Sequence, residues 1–372
     1  MKKILLFLTV LAIIAATVLW VRYGGGSSYP DLSTTPLLDS TSLEEVLAYA
    51  EPVGNVAVSE DGRVFFTVHP EARPQGNKLL EFVRGAAVPY PSWGEQHELF
   101  DTVLGVSIDR FNRLWTIDHG NHGMRPARIV AIDLNTDTVI REQRLGPDIA
   151  PAGSFLQDLQ ISADGNTIVI ADASFWRKSP AIIVYDIESG NARRVLEAHE
   201  SVSAEEYMIH SMDRDMEFLG GIVSLRGGID GIALGPEWLY YGAISGSGLY
   251  RVRLRDLRND SLPPGQLGNR VERVSDKPLS DGMSIDTEGN VYITAIEHSS
   301  VFVAGPDREP QTLIASDRLR WPDGLSFGPD GYLYIADSAL PELILQSREH
   351  IVDSGPYRIF RFQPGVAGVP GQ

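Results

Sequence analysis

One motif recurs six times along the chain, and it limits the possible folds more than any other feature. Its clearest copies read PDGLSFGPDGYLYIADS around Asp323, SDGMSIDTEGNVYITAIE around Asp281 and IDGIALGPEWLYYGAIS around Asp230. Weaker copies start at Gly54, Leu104 and Gln157. Matched turn to turn, successive copies lie 50, 53, 73, 51 and 42 residues apart. Repeats of this period predict a solenoid or a propeller, because each unit buries its core only against its neighbours.

Each copy has the pattern of a β-hairpin. An apolar run is followed by a turn rich in Gly, Asp and Asn and then by a β-branched and aromatic run, as at Val64–Thr67. Further runs such as Ile182–Asp186 and Ala192–Leu196 follow, giving four strands per unit. We therefore predict an all-β, six-bladed β-propeller with four-stranded antiparallel blades. A β-helix would need shorter, more uniform rungs. An α/β fold would need helical periods, which only fragments such as Ser42–Ala50 supply. The longest interval leaves an insertion near His199–Gly221, either a lid or a long loop on the rim.

An apolar leader precedes the repeats. Two lysines stand before Ile4–Val21, an 18-residue run interrupted only by two threonines. The run approaches the roughly 20 residues that span a bilayer and exceeds the roughly 7–15 of a typical signal-peptide core. We predict an N-terminal hydrophobic helix that serves as an uncleaved membrane anchor, with a cleaved signal peptide as the alternative. Residues 1–29 would end in a flexible tether at Gly24–Ser28, and residues 30–372 would form the propeller outside the cytoplasm.

Charge and composition exclude several classes of protein. The chain has 49 acidic and 32 basic residues and a net charge of −17, so binding to nucleic-acid phosphates is not expected. It has no cysteine, which excludes disulfides, thiolate metal sites and cysteine nucleophiles. The sequence also has no H-E-x-x-H or Walker motif, so zincin and NTPase functions have no support. The predicted partners are a small molecule and, through the leader, a membrane.

The hairpin geometry brings acidic residues together. The start of one strand and the end of its antiparallel partner lie at the same edge of a sheet, which places Asp323 with Asp337 and Asp158 with Asp172. Innermost strands line the central channel of a propeller. Four carboxylates and one amide are thus predicted to ring one mouth of the channel: Asp158, Asp230, Asp281, Asp323 and Gln157.

Two interpretations of these acids remain open. Converging carboxylates repel one another, so some must be protonated, hydrogen-bonded to backbone amides, or bridged by a cation. Oxygen ligands without cysteine favour Ca²⁺ or Mg²⁺ over Zn²⁺. Alternatively, Asp-Gly before a strand is common turn chemistry, because Asp accepts local backbone hydrogen bonds and Gly tolerates positive φ. In that case the acids would merely tie one blade to the next.

Other candidate residues lie near the same edge. Glu297 and His298 follow the second strand of their unit and could act as an acid–base pair. His119 and His122 could bind a metal or carry protons, or could simply be solvated. Aromatic residues such as Phe175 and Trp176 are expected mostly between blades, with one of them available to a flat ligand.

Long segments of the chain resemble the major royal jelly protein / Yellow family. They are Gly228–Asn259, Leu279–Val301, Arg320–Leu340 and the closing Gly355–Phe362. The resemblance implies a secreted six-bladed propeller. Some insect members of that family are linked to dopachrome conversion in melanin synthesis, others bind biogenic amines in the central channel, and others are nutritional proteins. The disulfides of insect members have no counterpart in this cysteine-free chain.

A looser resemblance is to gluconolactonase-type propellers. There, Asn and Asp at two such blade starts help to hold a divalent metal, which implies Asp230 and Asp281 as metal ligands here. That family also uses a glutamate in its first blade, whereas Glu51 is displaced from the matching position. The implied set of metal ligands is therefore incomplete.

We predict an extracytoplasmic propeller that binds a small aromatic or amine ligand in the channel mouth and can tautomerise it. The predicted catalytic residues are Asp281, Asp323, Glu297 and His298. The predicted ligand-binding residues are Gln157, Asp158, Asp230, Asp337, Asp172 and His119. A lactonase dependent on Ca²⁺ or Mg²⁺ and a non-enzymatic binding scaffold are the alternatives.

Overall fold

Six four-stranded antiparallel sheets surround one axis in the computed structural model, which describes residues 1–372 except for the side chain of Trp93. The innermost strand of each sheet contacts the innermost strands of both neighbours, so the sheets form a closed ring. This confirms the predicted six-bladed propeller. From the axis outward, blade 1 consists of Val53–Val58, Val64–Val68, Leu79–Val83 and Ala86–Pro89. Blade 2 consists of Val103–Ile108, Arg113–Asp118, Arg128–Asp133 and Thr138–Arg144. Blade 3 consists of Leu156–Ile161, Thr167–Asp172, Ala181–Asp186 and Ala192–Val195.

Blades 4 to 6 repeat this order. Blade 4 consists of Ile229–Leu234, Trp238–Ala243, Gly248–Arg253 and Glu272–Asp276. Blade 5 consists of Met283–Ile285, Val291–Ala295, Ser300–Gly305 and Arg308–Ala315. Blade 6 consists of Pro322–Phe327, Leu333–Asp337, Tyr357–Phe362 and Glu44–Tyr49. The core lies between adjacent blades. Between blades 2 and 3, for example, Trp115, Ile117, Ile161 and Ile168 are all buried. Each such side chain contributes about 1.5–3 kcal/mol when it leaves water.

Blade 6 takes its outermost strand from the start of the propeller. The helical character predicted for Ser42–Ala50 is wrong, because Glu44–Tyr49 pairs antiparallel with Tyr357–Phe362. Pairing with an open sheet edge outweighs a weak local helical pattern. Glu44 and Glu45 face outward, where they bond arginines of the neighbouring strand at 2.9 and 3.0 Å. The first and last strands thereby hold the ring closed.

Helices are few and mostly short. The leader forms one helix of 22 residues, Lys2–Tyr23. The others are Trp93–Leu99, Gly120–Gly123, Leu254–Arg258, Pro264–Gly268 and Arg348–Asp353. The insertion between blades 3 and 4 contains five two-residue strands: Tyr207–Met208, His210–Ser211, Arg214–Asp215, Glu217–Phe218 and Val223–Ser224.

The Gly24–Ser28 segment is held against the propeller, so the predicted flexible tether is wrong. Ser27–Ser28 pairs in parallel with Tyr207–Met208 of the insertion. Arg226 Nη2 donates to the carbonyl oxygen of Gly24 at 2.9 Å. The chain then runs past the outer strand of blade 5 to blade 6, and on the way Tyr29 Oη donates to the carbonyl of Lys277 at 2.9 Å. Composition indicated flexibility, but tertiary hydrogen bonds fix this backbone.

Residues 365–372 close the far end of the channel, opposite the insertion. The Gly371 carbonyl accepts hydrogen bonds from Ile108 N at 2.9 Å and Ser107 Oγ at 3.0 Å. Gln372 Nε2 donates to the carbonyl of Ile161 at 2.9 Å, and the Gln372 carbonyl accepts from Phe327 N at 2.8 Å. These contacts join the inner strands of blades 2, 3 and 6 across the axis.

Candidate functional site

The repeated motif forms a β-bulge at the start of the inner strand. Pro322 pairs with Asp337 and Leu325 pairs with Ile335, so the inner strand has one extra residue across Asp323 and Gly324. The same extra residue occurs in blades 1, 2, 3 and 4. A bulge bends the strand and turns a side chain out of its regular alternation. In each of these blades, the repeated motif therefore places one side chain at the channel mouth.

The motif glycines are required by close packing around the axis. A Cβ atom on Gly231 would lie 2.5 Å from the carbonyl oxygen of Asp281, and one on Gly282 would collide with the carbonyl oxygen of Asp323. On the next blade, the carbonyl oxygen of Gln157 blocks the Cβ position at Gly105, and the side chain of Asn55 blocks the one at Gly324. None of these four glycines has a left-handed φ. Glycine is thus needed for the approach of adjacent inner strands, not for the turn chemistry considered above.

The acids predicted to share one mouth do converge there. Asp230 and Asp281 share a side-chain hydrogen bond, and Gln157 Nε2 donates to Asp230 Oδ2. Trp321 Nε1 donates to Asp281 Oδ2 at 2.5 Å. In the second part of the cluster, Asn55 Nδ2 donates to Asp158 Oδ1 at 2.7 Å, and Asp323 lies near enough to interact electrostatically with Asp158 and Asp281.

Protonation reduces the repulsion within this cluster. Burial, reinforced by the neighbouring carboxylates, raises the pKa values of Asp230 and Asp323 well above their usual range. Burial and the charge of Asp281 raise the pKa of Asp158 to about 8. Burial also raises the pKa of Asp281, but hydrogen bonds from Asp230 and Trp321 oppose that rise. Asp281 is therefore the member that most readily holds a negative charge, with Asp230 as its neutral donor.

The predicted metal ligands do not form a metal site. Among the side chains that the structure describes, no group of three or more His, Asp or Glu residues is arranged to hold a metal ion. Asp230 and Asp281 bond each other instead. Ca²⁺ or Mg²⁺ would need further oxygen ligands, so Asp230 and Asp281 do not fit such an ion.

A cavity of about 160 Å³ opens at this mouth. Its floor includes Gln157 and Asp281. Its walls are mainly apolar and aromatic: Phe155, Phe175, Trp176, Phe218, Leu219 and Leu345. Phe218 and Leu219 belong to the insertion, which thus covers one side of the mouth. An apolar cavity of roughly 150 Å³ holds one benzene ring, so this cavity fits a small ring.

The sequence alone did not identify Glu71 and His69, which stand with His122 on the cavity wall. Glu71 and His69 follow the second strand of blade 1, and both line the cavity. Glu71 Oε1 lies 2.8 Å from Nε2 of His122, which also lines it. Nε2 of His69 lies 4.0 Å from Asp323 Oδ2. His69 stands one residue after its strand, as His119 does in blade 2. Comparing repeat copies at this position could have identified it.

The charges of this group differ from those of free side chains. Burial lowers the pKa of His69 to about 4 and that of His119 to about 3, so both are neutral at pH 7. Burial acts to raise the pKa of Glu71, but the hydrogen bond with His122 and the nearby histidines outweigh it and lower that pKa to about 2. The cavity wall therefore carries a carboxylate anion at neutral pH.

His119 supports the cavity from behind. Its Nδ1 accepts a hydrogen bond from His122 N at 2.9 Å, and its ring contacts Phe155 with 4.7 Å between ring centres. The predicted ligand contact of His119 is thus replaced by the positioning of His122 and Phe155.

Asp172 and Asp337 accept hydrogen bonds from the loops that precede the inner strands of their blades. Asp337 Oδ1 accepts from the backbone amides of Arg320 and Trp321 at 2.8 Å each. Asp172 accepts from Phe155 N at 2.7 Å and from Arg194 Nη1 at 2.8 Å. Both side chains are fully buried. Their oxygens are occupied by the loop before each inner strand, and the predicted ligand contacts gain no support from this geometry.

Replacing Asp337 with alanine is expected to destabilise blade 6 by about 2–4 kcal/mol, because the backbone amides of Arg320 and Trp321 and the partly buried guanidinium of Arg320 would lose their acceptor. The matched control is Asp353→Ala, since Asp353 is exposed. Urea denaturation followed by circular dichroism measures both variants. Equal stabilities would contradict the structural role of Asp337.

Glu297 and His298 lie outside the cavity. Glu297 Oε1 accepts from the backbone amide of His210 at 2.8 Å, and His298 Nε2 lies 3.3 Å from Asp31 Oδ1. The insertion and the N-terminal segment therefore bind the two residues that were predicted to form an acid–base pair. Of the predicted catalytic residues, Asp281 lines the cavity, and Asp323 lies close to the cavity residue His69.

The chain is similar in sequence to one protein family and similar in fold to several solved structures. The family described as Major royal jelly protein matches residues 101–350. Major royal jelly protein 3 of Apis mellifera is 24% identical over 228 residues, covering 57% of this chain and 40% of that protein. Major royal jelly protein 5 of Apis mellifera is 30% identical over 197 residues, covering 48% and 30%. The chain thus spans less than half the length of these relatives.

Solved structures share the fold at low identity. A luciferin-regenerating enzyme superposes with a TM-score of 0.57 at 10% identity, covering 88% of this chain and 97% of that chain. A gluconolactonase from Xanthomonas campestris superposes with a TM-score of 0.54 at 14% identity, covering 92% and 99%. At such identities the likeness concerns the fold alone.

Proposed function

This chain belongs to the major royal jelly protein family, and from its cavity we propose that it binds a small aromatic or amine-like molecule at the channel mouth, outside the cytoplasm. The observation that carries the proposal is one cavity that combines aromatic walls with the carboxylates of Glu71 and Asp281. Aromatic side chains favour a flat ring, and a buried carboxylate favours an ammonium group or a hydroxyl donor. The apolar N-terminal helix supports an extracytoplasmic location.

The same arrangement suits a tautomerisation. Such a reaction needs a base that removes a proton from one atom of a conjugated ligand and an acid that delivers a proton to another, with no oxidant or reductant. Asp281 is the candidate base, and the neutral carboxyl of Asp230 beside it stabilises its charge. His122, bonded to Glu71 on the wall, is the candidate proton donor when it is protonated.

Titration calorimetry of the full chain in detergent tests the binding. Dopamine and serotonin are the amine probes, and phenol is the uncharged probe. We expect Glu71→Gln to weaken amine binding at least tenfold, about 1.4 kcal/mol, and to leave phenol binding nearly unchanged. The matched control is Glu349→Gln, because Glu349 is exposed on a short helix.

Two results would count against this function. The first is a folded sample that binds none of the probes. The second is equal weakening of amine binding by Glu71→Gln and Glu349→Gln. Catalysis is tested separately by following the absorbance of dopachrome with wild type and Asp281→Asn, where the variant should lose the accelerated conversion.

A further inference from the structure

The end of the leader helix lies directly against the rim of the cavity. Tyr23 Oη donates to the carbonyl oxygen of Trp176 at 2.8 Å, and its ring lies 5.6 Å from the Trp176 ring between centres. Arg22 Nη2 donates to the carbonyl of Arg177 at 2.9 Å. Tyr23 is itself buried. No free tether therefore separates the helix from the cavity, and the orientation of the helix fixes the orientation of the mouth.

The composition of the helix indicates where a membrane surface would lie. The 22 residues of Lys2–Tyr23 extend about 33 Å, enough for a hydrocarbon core of about 30 Å. The most apolar window of the helix is fully exposed in the structure. Trp20, Arg22 and Tyr23 stand at its C-terminal end, and these residue types concentrate at the membrane–water interface. Because Tyr23 contacts Trp176, the cavity rim lies at that same level.

The rim exposes large apolar side chains. Trp176, Leu219 and Leu345 line the cavity, yet 46%, 65% and 67% of their surfaces are exposed. They come from three separate segments: a loop of blade 3, the insertion, and the loop before Arg348–Asp353. Exposed apolar side chains grouped around one opening mark an interaction surface, and the adjoining helix identifies the partner as lipid.

We propose that the rim formed by Trp176, Leu219 and Leu345 rests in the interface of the bilayer that the leader helix crosses, so that the cavity opens toward lipid. The contact is hydrophobic, because the net charge of −17 gives no attraction to anionic headgroups. One consequence rests on the proposed function: the ligand reaches the cavity from the membrane surface, where small aromatic molecules partition.

The cysteine-free sequence allows a direct test by single-cysteine labelling of the full chain. Leu219→Cys and Leu345→Cys place a nitrobenzoxadiazole label on the rim. Phe111→Cys is the matched control, because Phe111 is apolar and 47% exposed but lies in a turn on the opposite face. The protein is reconstituted in phosphatidylcholine vesicles that contain headgroup nitroxide quenchers, and circular dichroism confirms that each variant is folded.

We expect quenching of both rim labels to exceed that of the Phe111 label by at least about twofold, since interfacial groups enter the headgroup region. Equal quenching of the three labels would overturn the proposal. So would mass spectra showing that the membrane-bound protein from cells lacks residues 2–23. The readout involves no ligand, so its failure is distinct from a failure of the calorimetric test.

Discussion

Replacing Gly282 with alanine is expected to destabilise the propeller by about 3 kcal/mol or more, a large share of the total stability of a typical domain. The added methyl group would collide with the carbonyl oxygen of Asp323 on the next inner strand. The inner strands of blades 5 and 6 cannot move apart to relieve this collision without displacing the other blades of the closed ring. Chemical denaturation followed by circular dichroism measures the loss, which should appear as a lower midpoint at an unchanged slope.

The control for this substitution is Gly76→Ala. Gly76 lies in a loop of blade 1, no heavy atom lies within 4 Å of its Cβ position, and its φ is not left-handed. Its replacement should change stability by no more than about 0.5 kcal/mol. If both variants lost little stability, close packing of the inner strands would not be the reason for glycine in the motif.

The second large effect is a fall in the free energy of unfolding as pH rises from about 6.5 to about 8. The ordinary pKa of an aspartate is 3.8, and that of Asp158 is raised to about 8 in the folded chain. Between these values the folded chain binds a proton that the unfolded chain has lost, so rising pH favours unfolding. Each such proton contributes as much as about 1.4 kcal/mol per pH unit. Asp230 and Asp323 act in the same direction.

Histidines produce the opposite slope in acid. The ordinary pKa of a histidine is 6.5, and that of His69 is lowered to about 4 in the folded chain. Between these values the unfolded chain binds the extra proton, so falling pH favours unfolding. Between about pH 4 and 6.5 the histidines therefore oppose the aspartates, and above about pH 6.5 only the aspartates act.

Denaturation midpoints measured from pH 4 to pH 9 test both slopes. Asp158→Asn should flatten the alkaline side because an amide does not titrate, whereas Asp353→Asn, at an exposed site, should leave the profile unchanged. An alkaline slope as steep in Asp158→Asn as in the wild type would mean that Asp158 is ionised in the folded chain at neutral pH.

The blade pattern was predictable because it depends on local signals that repeat. Turn residues and alternating apolar runs define each hairpin, and the rule that inner strands line the channel correctly brought Asp230 and Asp281 together. The shared edge of a hairpin placed Asp337 beside the start of its partner strand. It could not reveal that the carboxylate turns back to bond the loop before its own strand, because that choice depends on loop conformation.

Long-range contacts explain the remaining differences. Glu44–Tyr49 is a strand because Tyr357–Phe362, more than 300 residues away, offers it an unpaired edge. Gly24–Ser28 is ordered because Arg226 and Met208 lie beside it. The Glu71–His122 pair joins two blades, so the sequence pointed to His122 but could not identify Glu71 as its partner.

Gly371 and Gln372 join the inner strands of blades 2, 3 and 6 across the far end of the axis, so a ligand enters and leaves by the mouth near Asp281. A molecule that reaches Asp281 must return by the route through which it arrived. If the protein converts its ligand, the product leaves through the same opening by which the substrate enters. Accumulated product should then slow the reaction by competitive inhibition.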